Sequence, residues 1–144
     1  MSAELFLDTN IFIYAVDTTD AAKREVADQL IRDTLAAGNG TTSYQVAQEF
    51  LNVVVTKARI PLGVDEARRF LDAVLLPLVQ VWPSPALFHD ALNTHRRWGF
   101  GFYDSLIVAA ARQAGARRLL TEDLQHGQDI AGLEVHNPFL PAPS

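Results

Sequence analysis

Four carboxylates in this 144-residue sequence stand where an acid can do more than solvate a surface: Asp8, Glu49, Asp104 and Asp123. Asp8 directly follows the apolar run Leu5-Phe6-Leu7, and Asp123 follows Leu119-Leu120 with Thr121 and Glu122 between, so both lie just beyond strand-like segments. Unrolling the helical pattern around Glu49 at about 100° per residue places Gln45, Gln48, Glu49, Asn52 and Thr56 on one narrow polar stripe. The remaining circumference carries Val46, Ala47, Phe50, Leu51, Val53 and Val54. Asp104 opens an apolar helical segment and falls on the side of Ile107, Val108 and Ala111. Each acid also has an ordinary reading: Asp8 and Asp104 as helix N-caps, and the Glu49 stripe as a solvated face. Should the four meet in one cleft, two carboxylates about 4 Å apart would repel by on the order of 4 kcal/mol at an effective dielectric near 20. No lysine or arginine adjoins any of them in sequence, so relief must come from raised pKa values or from a divalent cation. An all-oxygen donor set suits Mg²⁺ or Mn²⁺. Zn²⁺ usually takes histidine or cysteine, but the chain has no cysteine, and His89, His95, His126 and His136 show no ligand-pair spacing beside the acids. A hard-cation site of this composition is most often hydrolytic toward phosphate esters, with water activated by the cation attacking phosphorus in line.

The elements that must position these acids alternate along the chain. Leu5 to Leu7 reads as a strand and Asn10 to Val16 as a helix. A second helix fits Ala21 to Ala37, with Val26, Leu30 and Leu35 on its apolar side and Gly38 as its stop. Thr41 to Ser43 reads as a brief strand, followed by helical patterns over Tyr44 to Arg59 and Asp65 to Leu76. Val79 to Trp82 is a strand pattern. Ser84-Pro85 then opens a helix to about Arg97, and Asp104 to Ala114 is a helix ended by Gly115. Leu119-Leu120 and Leu133 to Val135 supply the last strands. Such alternation predicts an α/β fold, a mainly parallel sheet of four to five short strands covered by helices on both faces. Ligands are then expected beyond the carboxyl ends of the strands. Residues 1–137 read as one domain and the Pro-rich 138–144 as a loosely held tail.

Composition narrows the function classes. A formal net charge of -5 argues against coating nucleic acid by bulk positive charge, so any phosphate contact must be local. Arg96-Arg97-Trp98, before the loop Gly99-Phe100-Gly101-Phe102-Tyr103, is a candidate substrate contact; its ordinary reading is a solvated helix end. Phe102 and Tyr103, immediately before a buried helix, are expected in the core or an interface. The absence of cysteine excludes thiol chemistry and fits a reducing cytoplasm. With no signal-like start and no apolar run near the roughly 20 residues of a membrane span, the chain reads as soluble.

In order and over nearly the whole length, Leu7-Asp8-Thr9-Asn10, Ser43-Tyr44-Gln45-Val46 with Glu49-Phe50, Tyr103-Asp104-Ser105-Leu106-Ile107 and Leu120-Thr121-Glu122-Asp123-Leu124 resemble the PIN-domain ribonucleases, and within them the VapC-type toxins of toxin–antitoxin pairs. The resemblance implies a three-layer α/β/α sandwich that cleaves single-stranded RNA endonucleolytically with Mg²⁺ or Mn²⁺. Asp8, Glu49, Asp104 and Asp123 would be its catalytic and metal-holding acids, with Asn10, Thr121 and Ser43 in support. It also implies a homodimer and a cognate antitoxin. A non-catalytic partner-binding module of the same fold is the competing reading. A phosphorelay receiver fits poorly, since Asp8 stands alone after its strand and the only lysines are Lys23 and Lys57.

Overall fold

The computed structural model of the chain describes residues 4–56 and 62–141. Six short strands form one sheet in the order β3-β2-β1-β4-β6-β5: β1 (Leu5–Leu7), β2 (Gly40–Ser43), β3 (Val79–Val81), β4 (Arg118–Leu120), β5 (Asp129–Ile130) and β6 (Leu133–His136). All neighbours are parallel except the β5–β6 pair, a two-residue antiparallel edge that raises the strand count above the expected four to five. The central strand β1 sits between β2 and β4, with Leu5 opposite both Gly40 and Arg118 and Phe6 opposite both Thr41 and Leu119. The chain winds outward from β1 in one direction through β2 and β3, then returns to its other side at β4. The carboxyl end of β1 is therefore a topological switch point, where the flanking connections diverge and leave a crevice.

Helices cover the sheet: α1 (Thr9–Val16), α2 (Ala21–Ala37), α3 (Tyr44–Thr56), α4 (Val64–Phe70), α5 (Leu76–Leu78), α6 (Pro85–Trp98) and α7 (Phe102–Gln113). The sequence pattern beyond Thr56 toward Arg59 lies outside the described residues. Between α4 and α5, residues Leu71–Leu75 widen into a π-helical turn, in which the Leu76 N–H reaches back to the Leu71 carbonyl. Pro77 supplies the reason: it has no N–H to donate, and its ring crowds the carbonyl four residues earlier, so a wider turn lets the chain pass through the proline instead of stopping at Leu76. Helix α7 begins two residues earlier than its sequence pattern suggests. From Ser105 to Ala111 every one of its residues is buried. The left-handed glycines Gly38 and Gly99 close α2 and α6, each at a φ that a Cβ would disfavour.

The core joins both helical layers to the sheet through Phe6, Leu7, Ile11, Phe12, Val46, Phe50, Val108 and Leu119, among others. Phe50 stacks on Phe70 at 4.6 Å between ring centroids, and Phe12 meets the same ring edge-on at 6.5 Å, so α1 and α3 are held side by side. The expected apolar side of α2 is corrected in part: Leu30 packs against the core as expected, but Ala27, Ile31 and Thr34 supply the buried face and Val26 and Leu35 are exposed. Helix α2 approaches β2 so closely that a Cβ built on Gly40 would stand 2.8 Å from Thr34 Cβ, and the contact face must carry small side chains. In the Pro-rich C-terminal segment, the Phe139 ring packs on Tyr14 at 4.9 Å. Leu140 is exposed, and residues 142–144 lie outside the described set. No helix among the described residues is long and apolar enough to cross a membrane.

The Gly40–Thr34 approach yields a direct test. Gly40→Ala should lower stability by about 1–3 kcal/mol through overpacking, read as a lower urea midpoint at unchanged m-value. An unchanged midpoint would show that α2 can move off the sheet at little cost.

Candidate active site

Asp8 emerges from β1 at the switch point and caps α1 with its own carboxylate, Oδ1 accepting the Thr9 N–H at 2.7 Å. Its backbone N–H continues the sheet ladder to the Leu120 carbonyl at 3.0 Å, so the residue is fixed from both sides. The second oxygen, Oδ2, accepts the Thr121 hydroxyl at 2.8 Å. Thr121 follows β4 directly and is fully buried. Its Oγ1 also accepts the Asp123 N–H at 3.1 Å and Asn10 Nδ2 at 3.2 Å. A hydroxyl has one proton and two lone pairs; with both lone pairs occupied, the proton can only point at Asp8.

The two residues after Asp8 reach the other acids. Thr9 donates its hydroxyl to Glu49 Oε2 at 3.0 Å, across the α1–α3 contact that the Phe12, Phe50 and Phe70 rings maintain. Asn10 donates Nδ2 to Asp123 Oδ2 at 3.1 Å, in addition to its bond to Thr121. The consecutive residues Asp8, Thr9 and Asn10 thus address three acids: one is its own side chain, one is held by a hydroxyl and one by an amide. Gln45, one turn before Glu49 on the polar stripe, donates to Glu49 Oε1 at 2.7 Å and to the Tyr103 carbonyl at 3.4 Å, joining α3 to the turn that precedes Asp104. The capping reading of Asp104 is corrected: Gly101 is the N-cap of α7 and Asp104 lies within the first turn. It is half-buried, and its side chain makes no hydrogen bond or ion pair among the described residues.

The electrostatics follow from this burial. Asp8 is only 6% exposed, and loss of hydration lifts its carboxyl from the usual 3.8 to about 6 despite the opposing hydrogen bonds from Thr121 and Thr9; the negative charges of Asp123 and Glu49 push the same way. Asp104 is raised as well, first by burial and then by Asp123 and Glu49. Asp8 and Asp104 thus each feel the negative charges of Asp123 and Glu49, although among the described residues no three His, Asp or Glu side chains approach closely enough to form a ready-made ion cage. The ion pairs found among the described residues, such as Lys23–Glu122 and Arg118–Glu134, leave these four acids without a cationic partner. Asn10 Oδ1 is buried without a hydrogen-bond partner. Oxygen donors alone, two carboxyls lifted by burial and by the charges of Asp123 and Glu49, and an unmet buried acceptor beside them together fit a hard divalent cation.

Other predicted residues fall elsewhere. Ser43 is buried and its Oγ accepts the Val46 N–H at 3.4 Å, supporting the start of α3 rather than bonding to an acid. Arg96 and Arg97 are exposed in the last turn of α6; Arg97 lies over the Trp98 ring at 5.0 Å and lines a groove with Asp90, Asn93 and Arg112, away from the four acids. Phe102 and Tyr103, expected in the core or an interface, are not in the core: they are 40% and 71% exposed. Tyr103 borders an open pocket with Gln48, Asn52 and Glu49, the one acid of the four that lines it, and also borders an apolar groove shared with Trp82, Phe88 and Phe102. Thr9 and Gln45 were absent from the sequence-derived site. Gln45 was signalled by its place one turn from Glu49 on the stripe, Thr9 only by adjacency to Asp8.

Residues 5–128 match the family model described as PIN domain. Ribonuclease VapC23 of Mycobacterium tuberculosis is 28% identical over 121 residues, covering 83% of this chain and 92% of that protein. Among solved structures, a toxin–antitoxin complex from Klebsiella pneumoniae superposes with a TM-score of 0.66 at 20% identity, covering 94% of this chain and 98% of that one. VapC20 of Mycobacterium tuberculosis, described as a sarcin-ricin loop cleaving toxin, superposes with a TM-score of 0.58 at 20% identity over 83% of this chain and 90% of that one.

The raised Asp8 carboxyl sets a pH dependence with a definite sign. Between about 4 and about 6 the folded protein retains a proton that the unfolded chain has released, so the Asp8 contribution lowers stability as pH rises through that window. A shift of this size corresponds to roughly 3 kcal/mol. In chelator, the Asp8→Asn variant should be more stable than the parent at neutral pH by about 1–3 kcal/mol, with the difference shrinking toward about pH 4. Parallel stability profiles for the two proteins would exclude a buried ionised Asp8.

Proposed function

We propose that this chain, which belongs to the PIN domain family, is a Mg²⁺- or Mn²⁺-dependent endoribonuclease. It hydrolyses phosphodiester bonds in single-stranded RNA as the toxin of a type II toxin–antitoxin pair. One observation carries the reading: Asp8, buried at the sheet's switch point, is held by Thr121 and lies within the electrostatic reach of Glu49 and Asp123. The ribonuclease name of the VapC23 relative and the toxin–antitoxin setting of the Klebsiella pneumoniae structure support the same conclusion. A cognate antitoxin protein, a homodimer and a cytoplasmic location belong to this proposal.

Asp8, Glu49, Asp104 and Asp123 would hold the ion. When bound, it supplies Lewis acidity that lowers the pKa of water and stabilises the charge developing at phosphorus. The chain's own residues prepare the site for it. With a carboxyl near 6, Asp8 is ionised by about ten to one at neutral pH and is neutralised by protons below that value, which then compete with any cation. Thr121 aims its only proton at Asp8 and so favours the ionised form that a cation requires. Thr9 and Gln45 take one oxygen each of Glu49 and fix its plane. Asp104 has no hydrogen bond to surrender among the described residues, so its carboxylate is free to turn toward a ligand or to take up a proton.

Freed of any partner and of metal, the purified protein should cut single-stranded RNA on addition of Mn²⁺ or Mg²⁺, leaving 5′-phosphate and 3′-hydroxyl ends, and should stop on chelation. Asp8→Asn should abolish cutting, and Thr121→Val should weaken the apparent metal affinity by about 10–100-fold. The rate should climb as pH passes through about 6. Cutting that survives both chelator and Asp8→Asn would defeat the proposal. Ion uptake with no cutting of any single-stranded RNA would instead identify a non-catalytic module.

A further inference from the structure

Glu122 stands between Thr121 and Asp123, the two loop residues bonded into the cleft, yet its own carboxylate is engaged elsewhere. Tyr14 on α1 donates its hydroxyl to Glu122 Oε1 at 2.6 Å, and Lys23 on α2 donates to Oε2 at 3.0 Å. Lys23 Nζ also donates to the Tyr14 hydroxyl at 3.2 Å, closing a three-membered ring of polar contacts. The ammonium lies 4.6 Å from the Tyr14 ring centroid and 5.6 Å from that of Phe139, whose ring packs on Tyr14. The Lys23 and Glu122 side chains are 34% and 23% exposed, so the pair is partly shielded from water.

Asp123 needs support of this kind. It is exposed, and its side chain is bonded within the described residues only by Asn10 Nδ2, so its position depends on the backbone that carries it. That backbone is tied inward by the Asp123 N–H to Thr121 Oγ1. The outward tie is Glu122. With both oxygens occupied, Glu122 is also withheld from the cleft, where one more carboxylate would compete with its neighbour for the same cation.

We propose that Tyr14 and Lys23 are positioning residues for the metal site: by clamping Glu122 they set the Thr121–Asp123 loop and leave Asp123, rather than Glu122, to face the cation. The inference rests on the metal-dependent reading above, and its test reads ion binding as well as cleavage. Mn²⁺ binding to the metal-free full-length chain is measured by the electron paramagnetic resonance signal of free Mn²⁺, alongside RNA cleavage as a function of Mn²⁺ concentration. Lys23→Met should weaken Mn²⁺ binding by roughly tenfold and raise the half-saturating Mn²⁺ for cleavage equally, with kcat at saturating Mn²⁺ nearly unchanged. Tyr14→Phe should do the same to a smaller degree. Lys23→Glu combined with Glu122→Lys should recover most of the lost affinity, which general loosening of the fold would not allow. Should Lys23→Met fail to fold, Tyr14→Phe and the exchanged pair carry the test. Folded variants that bind Mn²⁺ like the parent, or an exchanged pair no better than Lys23→Glu alone, would overturn the clamp. A parent protein that neither binds Mn²⁺ nor cuts RNA would remove the metal-dependent reading and the clamp with it.

Discussion

The hydrogen bond from Thr121 to Asp8 is the contact on which the site depends, because it joins the ends of two adjacent parallel strands at the one place where the chain's winding leaves a crevice. Burying a carboxylate is costly unless donors surround it, and here the Thr9 amide at the N-terminus of α1 and the Thr121 hydroxyl each take one oxygen of Asp8. Even so, burial prevails and the carboxyl remains above its usual range. An aspartate needed only to cap α1 could do so at the surface. Sinking it among core residues, with further acids around it, gives up stability for a group that can hold charge where water does not reach.

The arrangement converts packing into geometry. Phe12, Phe50 and Phe70 fix the spacing of α1 and α3, and that spacing brings the Thr9 hydroxyl to Glu49. The register of β1 against β4, with Leu7 opposite Leu120, places Thr121 level with Asp8. A one-residue change in that register would turn Thr121 to the other face of the sheet and release three hydrogen bonds at once. Asp8 and Glu49 are thus set by the sheet and the helix crossing, Asp123 sits on the loop that Thr121 ties inward, and Asp104, on the buried helix α7, keeps its carboxylate unengaged.

Much of this was legible in the sequence. The alternation of short apolar runs with helical stretches predicted the parallel sheet, and the resemblance to PIN-domain proteins agrees with the family match over residues 5–128. Asp8, directly after β1, and Asp123, three residues past the end of β4, could be picked out because polar residues just beyond a buried strand occupy a ligand-facing position. What stayed hidden depends on contacts between elements. The inner face of α2 is only partly encoded locally, because periodicity identifies apolar stripes but not the close approach at Gly40 that favours Ala27 and Thr34 over Val26 and Leu35. The β5 strand is two residues long and has no pattern of its own. Thr9 and Gln45 join the site only through the α1–α3 crossing and the turn before α7, which no local pattern encodes.

The charge balance bears on the proposed reaction as much as the geometry does. The chain carries a formal -5, Asp8 and Asp104 each feel the charges of Glu49 and Asp123, and the pocket beside Glu49, lined by Gln48, Asn52 and Tyr103, contributes no cation. Arg97 and Arg112 line a separate groove, Arg118 lies beside Glu134, and Lys23 is committed to Glu122. A polyanionic substrate approaching such a cleft meets repulsion at every one of these acids. Neutralising them is therefore a condition for bringing the scissile phosphate close, before any question of activating water arises. In the proposed reaction, metal dependence would begin at substrate binding, and the pH at which Asp8 gives up its proton would govern both steps through one group.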